Sequence, residues 1–168
     1  MRFVPIILIA ALAWIADSKA ETILQKSQRD EIVSVPNDDP DMAAAKRKAR
    51  ATLPEFLALA HSPRPSTINF AVKVGVQMDN GPDYEFFWIR PFEKSGDRYS
   101  GKLRNEPRWV KRLKLGDTIA FSESEIVDWT YLDAGKMKGN FTACALLKRE
   151  SKANAAAFKK QYRLECDD

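Results

Sequence analysis

Histidine and cysteine are scarce in this chain. Its 168 residues contain one histidine and two cysteines. A zinc finger needs a full set of Cys and His ligands, and a histidine-based catalytic site needs a histidine beside its nucleophile. The scarcity excludes a zinc finger and argues against histidine-based catalysis. His61 is therefore expected to be an ordinary surface residue in a proline-flanked loop, and neither a metal nor a cofactor is expected.

Glycine and proline are not enriched, and neither sign of charge dominates. The chain has seven glycines, nine prolines, and 27 Lys and Arg against 23 Asp and Glu, for a net charge of +4. This composition excludes a collagen, a low-complexity chain and a disulfide-rich miniprotein. The small net charge does not by itself indicate a nucleic-acid-binding protein. The length favours one domain.

Long hydrophobic runs are absent except at the start of the chain. Phe3 to Ile15 is an uncharged run of 13 residues after Arg2, too short to cross the ~30 Å hydrocarbon core as a helix. Ser18 and Ala20 are small residues at the right spacing for signal peptidase. The pattern predicts a signal peptide over 1–20, cleaved between Ala20 and Glu21, and a periplasmic or secreted protein. An uncleaved membrane anchor is the alternative.

Export changes the interpretation of the two cysteines. Cys144 and Cys166 both lie in the exported part of the chain. In an oxidising compartment such a pair predicts a disulfide. The alternative is two free thiols.

The exported chain predicts a helix followed by hairpin-connected strands. Residues 21–37 are expected to be an extended lead-in with a strand-like patch at 32–35. Asp39 is suited to cap a helix that begins at Pro40. Residues 68–78 alternate between apolar and other residues, and a turn and an aromatic strand that ends at Pro91 follow. Further short strands are expected at 99–103, 118–121 and 125–132.

The C-terminal part predicts a second helix. Residues 141–147 fit either a strand or a helix, and 151–164 fit a helix capped by Ser151. The expected fold class is α+β. It would be a single domain over 38–150, with an antiparallel curled sheet of about five strands and N-terminal and C-terminal helices packed on it. Residues 151–168 supply the C-terminal helix and tail.

Two carboxylates are the candidates for catalytic chemistry. Glu85 lies in an aromatic strand, and Asp128 lies beside Trp129. A desolvated carboxylate has a raised pKa, which suits acid–base catalysis, and the two could pair across neighbouring strands. The alternative is that Glu85 faces solvent or pairs with a nearby Arg or Lys.

A basic segment, defined here as residues 102–114, is the candidate anion-binding surface. Trp109 lies among its cations and could stack or insert at an interface. The alternative is a solvated loop whose tryptophan covers the core. A second group of cations at 46–50 is expected on an exposed helix face. The six candidate residues of the basic segment are Lys102, Arg104, Arg108, Lys111, Arg112 and Lys114.

Short motifs spread from Asp39 to Leu147 carry a family resemblance. They are Asp39-Pro40-x-Met42, Ala49-Arg50-x-Thr52-Leu53-Pro54-x-Phe56, Phe70-x-Val72-Lys73, Glu85-x-x-Trp88, Gly101-x-Leu103-x-Asn105-x-Pro107, Gly116-Asp117, Ile126-x-Asp128-Trp129 and Gly139-x-Phe141-Thr142. In this order they resemble the YegJ-like family of bacterial proteins, which is defined as a domain of unknown function. The resemblance implies a small α+β domain, often exported, and supplies no activity, catalytic residue or cofactor.

A site, if the family pattern encodes one, is expected where five motif residues converge: Glu85, Trp88, Asn105, Asp128 and Trp129. The predicted function is a non-enzymatic exported binding or accessory module for an envelope protein or an anionic envelope component. The alternatives are a hydrolase that uses Glu85 and Asp128, and an immunity-type inhibitor of a toxin. No specific nucleic-acid partner is expected, and the chain without its signal peptide is not expected to be an integral membrane protein.

Overall fold

The computed structural model describes residues 21–28 and 39–166. The predicted signal peptide and the strand-like patch at 32–35 lie outside these residues. In chain order the described elements are α1 (Ile23–Gln28), α2 (Pro40–His61), β1 (Thr67–Gln77), β2 (Tyr84–Ser95), β3 (Arg98–Leu103), β4 (Thr118–Phe121), a short 3₁₀ helix (Glu123–Glu125), β5 (Ile126–Asp133), β6 (Lys136–Gly139), α3 (Phe141–Leu147) and α4 (Lys152–Tyr162).

The strands form one curled antiparallel sheet in the order β4-β3-β2-β1-β5-β6. The predicted hairpin of β1 and β2 is confirmed, with Val74 opposite Phe87. Alternation places such residues on one face, and both are buried. The α+β class is also confirmed. The sheet has six strands where about five were expected, because the four residues of β6 carry no apolar alternation.

Strand β2 continues past Pro91, where the sequence predicts its end. The register between β2 and β3 shifts between Ile89 and Phe92, and Pro91 lies within this irregularity. Proline is tolerated at a bulge because the ladder needs no N–H donor there. The strand therefore reaches Ser95.

Helix α2 forms as predicted and packs on the sheet. The Asp39 carboxylate accepts a hydrogen bond from the Met42 N–H at 2.7 Å, which caps the helix. Phe56 faces the sheet, and its ring centroid lies 4.9 Å from that of Trp129. The main core accordingly lies between α2 and the central strands, with Val72 fully buried in it.

A smaller apolar cluster lies at the C-terminal end of the described chain. It joins Ile23 of α1, Leu147 of α3 and Phe158 of α4. A disulfide links Cys144 to Cys166 at its edge, which confirms the predicted pairing. The ambiguous segment 141–147 is a helix, and α4 begins after Ser151 as predicted.

Helix α1 replaces part of the expected extended lead-in, so that prediction is wrong for residues 23–28. Thr22 and Gln25 exchange hydrogen bonds between side chain and backbone, which caps the helix. The N–H of Ile23 donates to the Glu150 carboxylate at 2.8 Å. A local capping box and a contact with a residue distant in sequence therefore both stabilise this helix.

Candidate functional site

Glu85 is a buried carboxylate that holds the basic segment by its backbone. Its side chain is 1% exposed. It accepts hydrogen bonds from the backbone N–H groups of Arg108, Trp109 and Val110 at 2.7, 3.0 and 2.9 Å. Glu85 therefore neither faces solvent nor pairs with a basic side chain, which were the alternatives to a catalytic role.

All six cations of the basic segment have exposed side chains. Trp109 is 46% exposed, whereas the adjacent Val110 is fully buried. It is therefore Val110 that covers the core, while Trp109 projects into solvent together with exposed Leu115. Arg112 forms an ion pair with Asp79, which attaches the segment to the tip of the β1–β2 hairpin.

Asn105 joins the start of the basic segment to β2. Its side-chain oxygen accepts a hydrogen bond from the Trp88 N–H at 2.8 Å, and its amide nitrogen donates to the Phe86 carbonyl at 3.3 Å. The side chain thus satisfies backbone groups of β2 as a neighbouring strand would. This is a structural role.

Asp128, on β5, is fully buried beside the first residues of α3. Its carboxylate accepts hydrogen bonds from the N–H and the hydroxyl of Thr142 at 2.8 and 2.6 Å. It also accepts from the N–H groups of Phe141 and Trp129 at 3.2 and 2.9 Å. Gly139 permits this arrangement, because a Cβ there would lie 2.3 Å from the Trp129 carbonyl oxygen.

Lys73 completes the buried cluster around Asp128. Its Nζ donates to the Thr142 hydroxyl at 2.6 Å and lies 4.7 Å from the centroid of the Trp88 ring. Burial lowers the pKa of Lys73, against the attraction of the Asp128 charge. Burial also raises the pKa of Asp128, against Lys73 and the Thr142 hydrogen bonds. We call Lys73, Trp88, Asp128 and Thr142 the Lys73 cluster.

Trp129 belongs to the core and not to a binding site. Its indole N–H donates to the Ala49 carbonyl at 3.0 Å, and its ring packs on Phe56 and against the edge of Phe141. The side chain is 8% exposed. It connects α2, β5 and α3, as expected for a large aromatic anchor.

The five candidate site residues divide into separate groups. Trp88 and Asp128 meet through Lys73 and Thr142. Glu85 lies opposite Val76 on β1, whereas Asp128 lies opposite Lys73 on the other side of that strand. The backbones of the two carboxylates are thus roughly 10 Å apart both along and across the strands. The structure does not bring them together.

Sequence reasoning missed Lys73 and Thr142 as members of a cluster. Lys73 occupies the polar face of an alternating strand in the sequence pattern, and Thr142 lies in a segment that fits either a strand or a helix. The available signal was that both residues belong to the quoted motifs, Phe70-x-Val72-Lys73 and Gly139-x-Phe141-Thr142.

The chemistry of these groups is that of satisfied polar contacts. In the part of the chain that the structure describes, every buried side-chain nitrogen and oxygen has a hydrogen-bond partner. Across residues 21–28 and 39–166, His, Cys, Asp and Glu side chains form no group that could hold a metal ion. The helices within the same ranges are too short or too polar to cross a bilayer.

Comparison with known proteins identifies the family. The profile of a family described as "Uncharacterized protein conserved in bacteria (DUF2314)" matches residues 39–166. This chain belongs to the DUF2314 family. The match includes α4 and both cysteines, so the family region extends beyond the motifs that end at Leu147.

One curated relative supports the family assignment. The chain is 28% identical over 126 residues to "Uncharacterized protein YegJ" of Escherichia coli (strain K12), and the match covers 75% of this chain and 80% of the relative. The predicted YegJ-like resemblance is therefore confirmed. No solved structure matches the chain.

Proposed function

We propose that this DUF2314 protein is an exported, non-enzymatic binding module that holds an anionic component of the cell envelope, with anionic lipid headgroups as its ligand. The basic segment is the binding surface. The observation that supports this proposal best is that an exposed tryptophan lies among six exposed cations in one contiguous segment of the chain.

The cations of the basic segment and the exposed apolar side chains of Trp109 and the adjacent Leu115 together suit a lipid surface. Each Lys or Arg near an anionic bilayer contributes about 1 kcal/mol to binding. Trp109 and Leu115 are large apolar side chains left in solvent. Tryptophan favours the membrane interface because its ring is apolar and its N–H is polar. The cations would attract the surface, and the two apolar side chains would enter the headgroup region.

The buried contacts of the segment support binding without a large ordering cost. Glu85 fixes three consecutive backbone N–H groups, and Asn105 fixes the start of the segment to β2. A loop that is already ordered loses less conformational entropy when it binds. The exposed side chains therefore project from a fixed backbone.

Export rests on the N-terminal sequence and on the disulfide. The apolar run at residues 3–15 and the small residues before Glu21 are typical of a signal peptide. The Cys144–Cys166 bond is compatible with an oxidising compartment. Intact-mass measurement of the protein recovered from the periplasm or medium tests this part. A mass that begins at Glu21 is expected, and a product retaining Met1 in the cytosol would contradict export.

Vesicle co-sedimentation tests the binding surface. The mature protein is mixed with vesicles of phosphatidylglycerol and phosphatidylethanolamine, and with neutral phosphatidylcholine vesicles. We expect binding only to the anionic vesicles, with affinity falling as salt is added. The variant Lys111→Gln/Lys114→Gln should weaken binding by about 2 kcal/mol, or roughly 30-fold.

A matched variant controls for net charge. Lys152→Gln/Lys160→Gln removes two exposed lysines from α4 and should leave binding within about twofold of the unmodified protein. Trp109→Ala should weaken binding and abolish any blue shift of tryptophan fluorescence on vesicles. Equal binding by both double-lysine variants, or no binding to anionic vesicles at low salt, would refute the proposal.

The alternative of a hydrolase with paired carboxylates gains no support. The Glu85 carboxylate accepts hydrogen bonds from three backbone amides, and the Asp128 carboxylate accepts the Thr142 hydroxyl hydrogen bond among others. The two are held in different parts of the sheet. The immunity-type inhibitor stays a prediction that no contact favours.

A further inference from the structure

Two lysines from different elements lie over neighbouring aromatic rings of β2. Lys73 Nζ, from β1, lies 4.7 Å from the centroid of the Trp88 ring. Lys46 Nζ, from α2, lies 4.8 Å from the centroid of the Phe86 ring. Phe86 and Trp88 are two residues apart on one strand, so their side chains leave the same face at a spacing of about 7 Å. The two ammonium groups are therefore close neighbours.

The two lysines and the two rings lie at the edge of the protein interior. Lys46, Lys73, Phe86 and Trp88 are each partly exposed, neither buried nor fully solvated. Among the described residues neither ammonium forms an ion pair with a carboxylate. A small solute can thus contact the side chains of both lysines from the surface.

Positive charge is in excess around the two lysines. The nearby charges are Asp128, whose carboxylate is buried and already accepts several hydrogen bonds, and Arg50, one turn along α2 from Lys46. The Thr142 hydroxyl stands between Lys73 and Asp128 as a hydrogen-bond partner of both. Three cations thus lie near a single carboxylate, and that carboxylate already accepts hydrogen bonds from other groups. The excess of positive charge favours the binding of an anion.

We propose that Lys46 and Lys73 form a binding site for a small oxyanion, such as the phosphate or carboxylate group of a ligand, over the Phe86 and Trp88 rings. The oxyanion accepts hydrogen bonds from both ammonium groups, and Thr142 holds Lys73 in place. The site is separate from the basic segment.

The titration of the two lysines supports the same site. Burial lowers the pKa of both, and each is lowered further by a neighbouring cation, Arg50 for Lys46 and Lys46 for Lys73. Asp128 acts in the opposite direction on Lys73. A bound oxyanion favours the charged form of each lysine. Binding should therefore be coupled to proton uptake below the ordinary lysine pKa of 10.5.

Calorimetric titration of the mature protein with inorganic phosphate tests the site. Titrations are run one to two pH units below 10.5, the ordinary lysine value, in two buffers that differ in ionisation enthalpy. We expect saturable binding with a buffer-dependent heat that reports proton uptake. Lys46→Met and Lys73→Met should each weaken binding about tenfold or more and reduce the proton uptake. Parallel titrations with acetate show whether phosphate or carboxylate is the preferred group.

Matched variants make the result decisive. Lys94→Met removes a lysine that also lies over a ring, that of Tyr99, at the far end of β2 from Phe86 and Trp88. It should bind phosphate as the unmodified protein does. The outcomes that overturn the proposal are no saturable binding of either anion, or unchanged affinity in a folded Lys46→Met variant. Lys111→Gln/Lys114→Gln should keep phosphate affinity, so failure of this site and failure of the lipid-binding surface are distinguishable.

Discussion

Glu85 and Asp128 are both buried carboxylates on strands that flank β1, and they are satisfied in different ways. Glu85 accepts hydrogen bonds from three consecutive backbone amides of one loop. Asp128 accepts from the backbone and the hydroxyl at the start of α3 and interacts electrostatically with Lys73. Glu85 therefore orders a loop, whereas Asp128 joins β5, β1 and α3 around a second charge.

The sequence pattern does not distinguish the structural roles of these two carboxylates. Each lies beside aromatic residues in a strand, and each is a reasonable acid–base candidate by that criterion alone. A carboxylate that binds only the backbone amides of a loop allows the side chains of that loop to project outwards. A carboxylate that binds a side chain of another element makes its own stability depend on that element. Substitutions of Glu85 and of Asp128 should therefore destabilise different parts of the molecule.

The largest expected effect is that of Asp128→Ala. The substitution leaves Lys73 and the Thr142 hydroxyl without their partner in a buried place, and we expect a loss of about 4 kcal/mol in the free energy of unfolding. Urea unfolding at neutral pH measures it. Asp133→Ala, on the same strand but partly exposed in its pair with Arg64, should cost about 1 kcal/mol or less.

A double-mutant cycle shows whether the Lys73 charge is part of that loss. If Asp128 and Lys73 are coupled, Lys73→Met should cost less in the Asp128→Asn background than in the unmodified protein. If the free-energy costs of the two substitutions add to within about 0.5 kcal/mol, the two residues act independently. In that case the proposed difference between Asp128 and Glu85 would be wrong.

Removal of the disulfide should come next in size. Cys144 lies two residues after Thr142 on α3, and its bond to Cys166 closes a separation of 22 residues. Cys144→Ser/Cys166→Ser should lower the free energy of unfolding by about 3 kcal/mol. Hydrogen exchange should become faster at the amides of Phe141 and Thr142. The amides that bind Glu85 should keep their protection relative to global stability. Equally faster exchange at the Glu85-bound amides and at Phe141 and Thr142 would contradict separate roles for the two carboxylates.

Glu85→Gln should have a smaller and more local effect. An amide oxygen cannot accept all three N–H groups as a carboxylate does, so we expect a loss of about 2 kcal/mol. Exchange should become faster at Arg108, Trp109 and Val110, and vesicle binding by the basic segment should weaken. Glu93→Gln, on the exposed end of β2, is the matched control. Faster exchange at Thr142 would show that the two carboxylates belong to one network.

Much of the fold was predictable because its signals are local. The alternation of β1 and β2 and the Asp39 cap each depend on neighbouring residues. Strand β6 escaped prediction because its four residues carry no apolar alternation, although it pairs with β5 across a tight turn. Helix α1 is stabilised by contact of Ile23 with the C-terminal cluster, and that contact joins residues distant in sequence, which periodicity does not record.

The site was less predictable for the same reason. The basic segment is contiguous, so the sequence located it. The Lys73 cluster is assembled from β1, β2, β5 and α3, and its central lysine occupies an ordinary polar position of an alternating strand. The motifs contained Lys73 and Thr142, but only the register of β1 against β5 brings Lys73 opposite Asp128. A pattern of single residues does not contain that register.

The smallest predicted effect is a pH dependence of stability to which Lys73, beside Asp128, contributes and Glu85 does not. The pKa of Lys73 is lowered in the folded protein by burial, from an ordinary value of 10.5. Between the lowered value and 10.5 the unfolded chain holds more protons at this residue than the folded chain. Stability from Lys73 must therefore rise with pH across that window. Urea unfolding at several pH values should show this rise, and Lys73→Met should reduce it to the part contributed by Lys46. Glu85→Gln should retain the rise in full, and an undiminished rise in Lys73→Met would show that Lys73 is not its source.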